Sequence, residues 1–297
     1  MKRDSRVART LVAIGAFLVF LFTAGPVILS FIGSIVPDQA IFSYPPNWFS
    51  FGVTLDNYRY IFTGELPSVY QVEGANRGMI SDAARQVPRA LLNSAIVSGS
   101  VALLNLLLGA PAAYAYARMR FRGRRATFLA LILAPLVPSV ALIVPYYLLV
   151  QEFGLLGSKL SLILVHSIMT LPFTTLILSV FFGRIPDELE DAAKVDGCTR
   201  MQSFLKIFVP LVRPSLLATG LFAFMLSYAE FMFANSLGGG SDSRLLSVVM
   251  AALARNTDVS WGLLNASIFI AVVPSLLLVI VVWRFVVEGL LTGGVKG

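Results

Sequence analysis

The stretch Ile185-Pro-Asp-Glu-Leu-Glu-Asp-Ala-Ala-Lys-Val-Asp-Gly197 is a polar segment between two long apolar runs. Proline suits the first turn of a helix, acidic residues favour the positive N-terminal end of the helix dipole, and glycine commonly follows a helix end. The sequence therefore predicts a short helix from about Pro186 to Asp196. One face of this helix carries residues at positions i, i+3, i+4 and i+7, namely Leu189, Ala192, Ala193 and Asp196.

A second short helix is predicted directly after Gly197. Thr199 and Gln202 have the spacing of a capping box. Four apolar residues repeat at helical spacing behind it, which are Met201, Phe204, Leu205 and Phe208. Pro210 and Pro214 end this helix. The pair of helices is either an ordinary interfacial linker or a docking element, in which two exposed alanines let a partner approach the backbone closely.

The composition indicates an integral membrane protein. Of 297 residues, 57% are hydrophobic and 13% are charged, and the mean hydropathy is +0.81. A soluble domain has about 25% charged residues. These values exclude a disordered chain, a disulfide-rich secreted domain and a typical cytosolic enzyme. The single cysteine, Cys198, excludes an internal disulfide, and the single histidine, His166, excludes a histidine-based zinc cluster.

Six apolar runs predict six transmembrane helices in an all-α fold, because a spanning helix needs about 20 mostly apolar residues. They are 10–37, 90–117, 126–151, 160–183, 214–229 and 259–283, and we number them first to sixth. The fifth is short and continues past Glu230 to Leu237. The first run is longer than the apolar core of a signal peptide, so we expect a retained helix.

The basic residues predict the orientation. Sixteen of the 23 lysines and arginines lie at the two termini, in 118–125 or in 184–213. The positive-inside rule therefore places both termini in the cytoplasm. This distribution explains the net charge of +7 without nucleic-acid binding. The resulting segments are a cytoplasmic N-terminus 1–9, a first helix 10–37, an outer loop 38–89, a five-helix core 90–287 that includes the cytoplasmic loop 184–213, and a cytoplasmic tail 288–297.

Three polar side chains fall within or beside apolar runs. Glu230 follows Tyr228 in the fifth run, and His166 lies in the fourth. A carboxylate in a membrane normally faces protein or a water-filled cavity. These residues either line a solute path or make structural hydrogen bonds.

The stretch Asp191-Ala-Ala-Lys-Val-Asp-Gly197, followed by Ile207-Phe-Val-Pro210, resembles the "EAA" signature of binding-protein-dependent ABC importer permeases. That pattern is Glu-Ala-Ala, three residues, Gly, nine residues, then Ile-x-Leu-Pro. Asp191 stands in place of the glutamate and Val209 in place of the leucine. We call residues 184–213 the EAA segment.

The resemblance extends over most of the chain. Ala112-Ala-Tyr-Ala-Tyr-Ala-Arg118, Leu171-Pro-Phe173 and the terminal stretch Gly289-Leu-Leu-Thr-Gly-Gly-Val-Lys-Gly297 are similar to the second, maltose-type permease of carbohydrate uptake systems. The resemblance implies a type I ABC importer permease in the bacterial inner membrane, with its coupling loop between spans four and five. It also implies ATPase-coupling roles for seven residues, namely Asp191, Ala192, Ala193, Asp196, Gly197, Ile207 and Pro210.

The resemblance further implies partners. These are a homologous permease, two ATP-binding subunits, an extracytoplasmic solute-binding protein and a sugar. ATP and Mg²⁺ are expected on the ATPase, because this sequence has no Gly-x-x-x-x-Gly-Lys-Ser/Thr loop. A polyol or a glycerol phosphate is an alternative cargo. An ion-coupled secondary transporter that uses Glu230 and His166, and a membrane scaffold, are the alternatives from other classes.

Overall fold

The computed structural model describes residues 2–45, 47–65, 82–240, 242–255 and 260–294, and these residues form helices and connections without a β-strand. The helices are α1 (Lys2–Ile35), α2 (Asp38–Ile41), α3 (Asp56–Thr63), α4 (Val87–Arg118), α5 (Arg124–Leu133), α6 (Ile143–Glu152), α7 (Lys159–Gly183), α8 (Asp187–Val195), α9 (Arg200–Ser203), α10 (Val209–Leu211), α11 (Arg213–Tyr228), α12 (Met232–Leu237), α13 (Leu246–Arg255) and α14 (Trp261–Gly294). The all-helical class is as predicted.

Four single helices in the described ranges are long and apolar enough to cross a membrane. They comprise Val7–Ile35, Asp82–Arg118, Lys159–Gly183 and Trp261–Trp283. Two further pairs of helices reach that length only when the two members are counted together across a sharp bend. The number of spans is therefore four to six by length and composition.

The third apolar run is not the single helix that its length predicts. Arg124–Leu136 and Ser139–Glu152 are bent by 99° about the Val137–Pro138 break. Pro135 and Pro138 lack the N–H that would continue the helical ladder, which explains the break. Pro145 lies in the first turn of α6, where a missing N–H costs nothing.

The fifth apolar run is also interrupted. Helix α11 has 16 residues, a rise of about 24 Å, whereas the hydrocarbon layer is about 30 Å thick. The chain leaves the helix at Ala229 and resumes as α12 after Phe231. Before α11, the chain bends by 81° between Arg200–Leu211 and Arg213–Tyr228. A further short apolar helix, α13, was not expected from the sequence.

One compact unit comprises Met1–Pro88 and Val249–Pro274. Asp38 begins the short α2 and accepts hydrogen bonds from the Gly262 N–H at 2.8 Å and from Ser260 Oγ at 3.0 Å. Its carboxylate therefore caps the start of α14. Asn57 of α3 donates to the Ser34 carbonyl at 3.1 Å. Of the predicted outer loop 38–89, residue 46 and residues 66–81 lie outside the described ranges.

The other compact unit comprises Arg89–Val248 and Ser275–Gly297, and it contains two buried clusters. The first joins α4, α6, α7 and α12 through Val97, Val101, Val150, Leu162, Val165, Phe233, Ala234, Leu237 and Leu245. The second joins the C-terminal parts of α4 and α7 to the EAA segment through Ala110, Ala113, Tyr114, Leu178, Phe182, Phe204, Phe208 and Val212. The second cluster therefore anchors the segment that carries the predicted site.

Candidate functional site

Helix α8 forms where the sequence predicts it. Pro186 precedes it in an extended conformation, and Asp187, Glu188 and Glu190 fill its first turn. At its end the Cys198 N–H donates to the Ala193 carbonyl at 2.9 Å, and the Gly197 N–H donates to the Lys194 carbonyl at 3.1 Å. This pair of bonds is a Schellman motif, which needs a residue with positive φ. Gly197 supplies it with a φ of +76°.

The two alanines of α8 have opposite environments. Ala193 is 1% exposed, whereas Ala192 is exposed. The expectation of paired, exposed alanines is therefore wrong for Ala193, which packs inward because it lies on the side of α8 that faces this chain. Leu189 and Val195 accompany Ala192 at three-residue spacing, and Val195 is 88% exposed. We call Leu189, Ala192 and Val195 the outer face of α8.

The charges of α8 are partly paired within the helix. The Lys194 ammonium lies 3.0 Å from an Asp191 carboxylate oxygen and 3.4 Å from a Glu190 carboxylate oxygen. The hydrogen bond to Asp191 is the largest influence that raises the pKa of Lys194 above its usual value. Lys194 therefore stays charged over the physiological range, and Asp191 and Asp196 remain exposed beside the outer face.

The second predicted helix begins as expected and then departs from regular geometry. The capping box is present: the Gln202 N–H donates to Thr199 Oγ1 at 3.3 Å, and the Thr199 N–H donates to Gln202 Oε1 at 2.8 Å. Phe204–Phe208 then form a π-helical turn. A π-helical turn contains more residues than an α-helical turn, so the residues after it are rotated about the helix axis relative to a regular helix.

The predicted apolar face of this helix is consequently only half buried. Phe204 and Phe208 are buried and contact the Tyr114 ring, with centroids 5.2 Å and 5.0 Å away. Met201 and Leu205, which share the apolar face in the regular helical pattern, are exposed. Ile207 is partly buried against the same cluster, and Pro210 is exposed.

Arg118, at the end of α4, holds the start of the EAA segment. Its side chain is 5% exposed. Its Nε donates to the Phe182 carbonyl at 3.0 Å, and its two terminal nitrogens contact the Ile185 carbonyl and the Asp187 carboxylate. The guanidinium carbon also lies 5.3 Å from the centre of the Phe208 ring. One side chain thus joins the end of α7, the start of α8 and the π-helical turn.

His166 and Glu230 lie together, although 64 positions separate them in the sequence. Their Nε2 and Oε2 atoms are 3.1 Å apart, at an angle that does not make a hydrogen bond. His166 is buried, and its Nδ1 lies 2.9 Å from Ser227 Oγ. The histidine therefore connects α7 to the end of α11.

Glu230 also caps α12. Its Oε1 accepts the Phe233 N–H at 2.8 Å, and its Oε2 accepts the Ala234 N–H at 3.0 Å. The Ser247 hydroxyl donates to the Glu230 carbonyl at 2.6 Å. The Glu230 side chain remains 22% exposed. Tyr228, the third predicted path residue, is partly buried and stacks on Phe224 with centroids 5.6 Å apart.

The sequence reasoning missed three residues of these sites. Arg118 stands among the positive charges that orient the chain and in a stretch that resembles carbohydrate permeases, but neither signal assigns it a contact, and no pattern singles out Ser227. Val195 lies three residues after Ala192, so the helical spacing could have identified it. Nothing in the sequence marks Arg118 as buried, because its acceptors are backbone carbonyls of a distant segment.

Comparison with known proteins places this architecture in a family. The family described as "binding-protein-dependent transport system inner membrane component" matches residues 105–289, more than half of the chain. A diacetylchitobiose uptake system permease of Streptomyces coelicolor is 29% identical over 297 residues, which is 100% of both chains. A trehalose transport system permease of Mycobacterium tuberculosis is 32% identical over 247 residues, 82% of this chain and 83% of that protein.

A solved structure has the same fold. A chain of a bacterial ABC transporter involved in the import of the acidic polysaccharide alginate superposes with a TM-score of 0.74 and 19% sequence identity. The match covers 96% of this chain and 98% of that chain. The family match, the full-length relatives and the shared fold agree. This chain belongs to the family of inner membrane components of binding-protein-dependent ABC transport systems.

Proposed function

We propose that this chain is a permease subunit of an ATP-driven carbohydrate importer and forms one half of the solute path. The support is that relatives spanning most or all of the chain are named for the uptake of diacetylchitobiose and of trehalose. The other half is a homologous permease, and an extracytoplasmic solute-binding protein delivers the sugar. A polyol or a glycerol phosphate would suit the same fold.

Six spans follow if the third and the fifth apolar runs each cross the membrane once. The third span is then Arg124–Leu136 with Ser139–Glu152, and the fifth is α11 continued by α12. The EAA segment lies between the fourth and fifth spans, in the cytoplasm with both termini. The sixteen basic residues on that side support this orientation.

The observation that carries ATPase coupling is the outer face of α8. An exposed helix with an apolar stripe fits a groove in a partner protein. Ala192 lets the partner approach the backbone closely. Asp191 and Asp196 place negative charges at the edge of the outer face of α8. Gly197 sets the bend, Ala193 and Ile207 pack the segment against its own chain, and the helical run ends at Leu211, one residue after Pro210. A separate ATPase binds ATP and Mg²⁺ and moves α8 as a rigid body.

His166, Tyr228 and Glu230 have unequal access to a solute. His166 is buried, and both Glu230 carboxylate oxygens already accept backbone N–H groups. We assign His166 and the Glu230 carboxylate to holding α7, α11 and α12 together. Tyr228, with its partly exposed ring, is our candidate for the solute path.

The assembly is tested by tagging this chain, purifying it in mild detergent from its native membrane and identifying the co-purified proteins. A second permease and an ATPase are expected. Cys198 is the only cysteine of the chain and lies directly after Gly197, so a thiol-specific cross-linker reports on this segment. We expect a Cys198 cross-link to the ATPase, and a cross-link only to lipid or to this chain would contradict the docking role.

Gly197→Asp tests coupling. A Cβ at Gly197 would meet open space within its own chain, so we expect no clash there. The strain of a positive φ remains, and the new charge lies where the ATPase docks. We expect normal membrane levels with little sugar uptake. Normal uptake at normal expression would exclude the coupling role.

The His166–Glu230 contact is the one observation that favours an ion-coupled transporter, because paired titratable groups in a membrane mark proton pathways. Uptake measured in membrane vesicles distinguishes ATP-driven import from ion-coupled transport. Uptake that needs ATP and a co-purified ATPase supports the importer. Uptake driven by a proton gradient without ATP, and lost in His166→Asn, would support the alternative.

A further inference from the structure

A cleft of about 930 Å³ opens beside the EAA segment, between the end of α4, the start of α5 and the end of α7. Its wall includes Arg120, Arg124 and Arg125 from the connection after α4 and the first residues of α5. Tyr116, Phe121 and Phe128 also line it. The site described above does not use this cleft.

The three arginines of the cleft have no ionic partner among the residues that the structure describes. All three are exposed, and within the described ranges no carboxylate or other acceptor is bound to their guanidinium groups. Arg118, only two residues before Arg120, is bound by two carbonyls and a carboxylate. Three unpaired guanidinium groups around one concave surface attract an anion.

The rest of the cleft lining is aromatic and apolar apart from Ser179, whose hydroxyl donates to the Leu176 carbonyl at 2.7 Å. The Tyr116 ring contacts Phe121 and Phe128, with centroids 5.6 Å and 5.4 Å away. Val180 and the two alanines Ala117 and Ala126 complete this wall. A free inorganic anion would make no use of such a surface. The cleft therefore suits a molecule with both a negative group and a hydrocarbon part.

The position of the cleft in the fold selects that molecule. Two single-helix candidate spans, Asp82–Arg118 and Lys159–Gly183, end beside it. The ends of spanning helices lie at the level of the lipid headgroups. Basic pockets between helices on the cytoplasmic side bind the headgroups of anionic lipids.

We propose that this cleft binds an anionic phospholipid of the cytoplasmic leaflet. Arg120, Arg124 and Arg125 bind the headgroup phosphate, and the first part of an acyl chain lies along Tyr116, Phe128 and Val180. A zwitterionic lipid is disfavoured because its headgroup carries a cation that the arginines repel. The proposal rests on insertion of the chain in the membrane with residues 118–125 on the cytoplasmic side, and not on the cargo or on ATP.

The test uses the complex purified through a tag on this chain, delipidated in mild detergent and titrated with phosphatidylglycerol or phosphatidylcholine during native mass spectrometry. Arg124→Gln and Arg125→Gln each remove one charge from the cleft. Arg122→Gln is the matched control, because Arg122 is exposed in the same connection and does not line the cleft. We expect about a fivefold loss of phosphatidylglycerol affinity for each cleft arginine, and a loss of under about twofold for Arg122→Gln.

Four results would overturn the proposal. Equal losses of phosphatidylglycerol affinity in Arg122→Gln and Arg124→Gln would mean that the lipid is attracted to the basic surface in general. Equal binding of phosphatidylcholine would mean that the cleft does not distinguish anionic from zwitterionic headgroups. Displacement of lipid by millimolar inorganic phosphate would assign the cleft to a soluble anion. Loss of a partner subunit from Arg124→Gln, with lipid binding unchanged, would assign it to an acidic protein surface. Arg124→Lys keeps the charge and should keep lipid binding, which separates charge loss from misfolding.

Discussion

Arg118 is the residue on which the geometry of the EAA segment depends. A buried cation is tolerated only when its donors are used, and this guanidinium serves two carbonyls and one carboxylate. Arg118→Leu leaves the Phe182 and Ile185 carbonyls without this donor. We expect a loss of about 2–4 kcal/mol in the free energy of unfolding. Thermal unfolding in detergent and hydrogen exchange over 185–197 measure it.

Two matched variants make the Arg118 prediction specific. Arg118→Lys keeps the charge, but an ammonium group lacks the planar guanidinium that reaches three separate acceptors. We therefore expect a loss in the free energy of unfolding that is smaller than that of Arg118→Leu. Arg122→Leu, an exposed neighbour, should leave both readouts unchanged. If Arg118→Leu unfolds at the wild-type temperature with unchanged exchange over 185–197, Arg118 does not hold this segment.

Glu230 caps a helix that begins in the middle of an apolar run. Glu230→Ala leaves the Phe233 and Ala234 N–H groups without their acceptor, and we expect a loss of about 1–2 kcal/mol in stability. Glu230→Gln keeps one oxygen and should retain part of that stability. Thermal unfolding of both variants measures how much the Glu230 cap contributes to stability. Wild-type stability of Glu230→Ala together with lost uptake would instead assign Glu230 to the solute path.

At the scale of the element, α8 has two faces that respond to different changes. Val195 is 88% exposed, so Val195→Asp should leave the stability of the chain unchanged while it prevents ATPase binding. Ala193 is buried, so Ala193→Leu should overpack the inner side and cost about 1–3 kcal/mol. Co-purification of the ATPase and thermal unfolding separate the two effects. Full ATPase binding by Val195→Asp would show that α8 docks by another face.

How far the sequence predicts the elements depends on how local their determinants are. Helix α8 is predicted nearly to the residue, because Pro186 and Gly197 are signals that act within a few positions. The capping box at Thr199 is predicted for the same reason. The π-helical turn at Phe204–Phe208 is not, because it places two rings against Tyr114, which comes 90 positions before Phe204 in the sequence. Tertiary packing overrode the regular helical period there.

The same limit applies to the polar residues and to the apolar runs. His166 and Glu230 each stand out in the sequence, but their contact follows from how α7 and α11 pack. The third run shows Pro135 and Pro138, which predict a break, whereas the angle of 99° depends on what surrounds it. Composition predicts how much chain is apolar, and it does not decide whether a bent pair crosses the membrane or returns.

The native Cys198 tests the orientation of the chain and the number of spans that precede the EAA segment. If each bent pair crosses once, three spans separate Ser50 from Cys198, and the two positions lie on opposite sides of the membrane. A membrane-impermeant maleimide should then label Cys198 in inverted vesicles and not in spheroplasts. Ser50→Cys in a Cys198→Ser background should show the reverse. Ser50 is exposed, so absence of its label would not come from burial.

The alternatives give different labelling patterns. If Arg124–Leu136 and Ser139–Glu152 form a re-entrant loop, two spans separate the positions, and both cysteines are labelled from the same side. If the whole chain is inverted, Cys198 is labelled in spheroplasts and the positive-inside assignment fails. Only opposite labelling with Cys198 on the cytoplasmic side supports three spans between the two positions, which is the number that the six-span arrangement requires there. That arrangement also puts the outer face of α8 in the compartment that contains ATP, which coupling to a cytoplasmic ATPase requires.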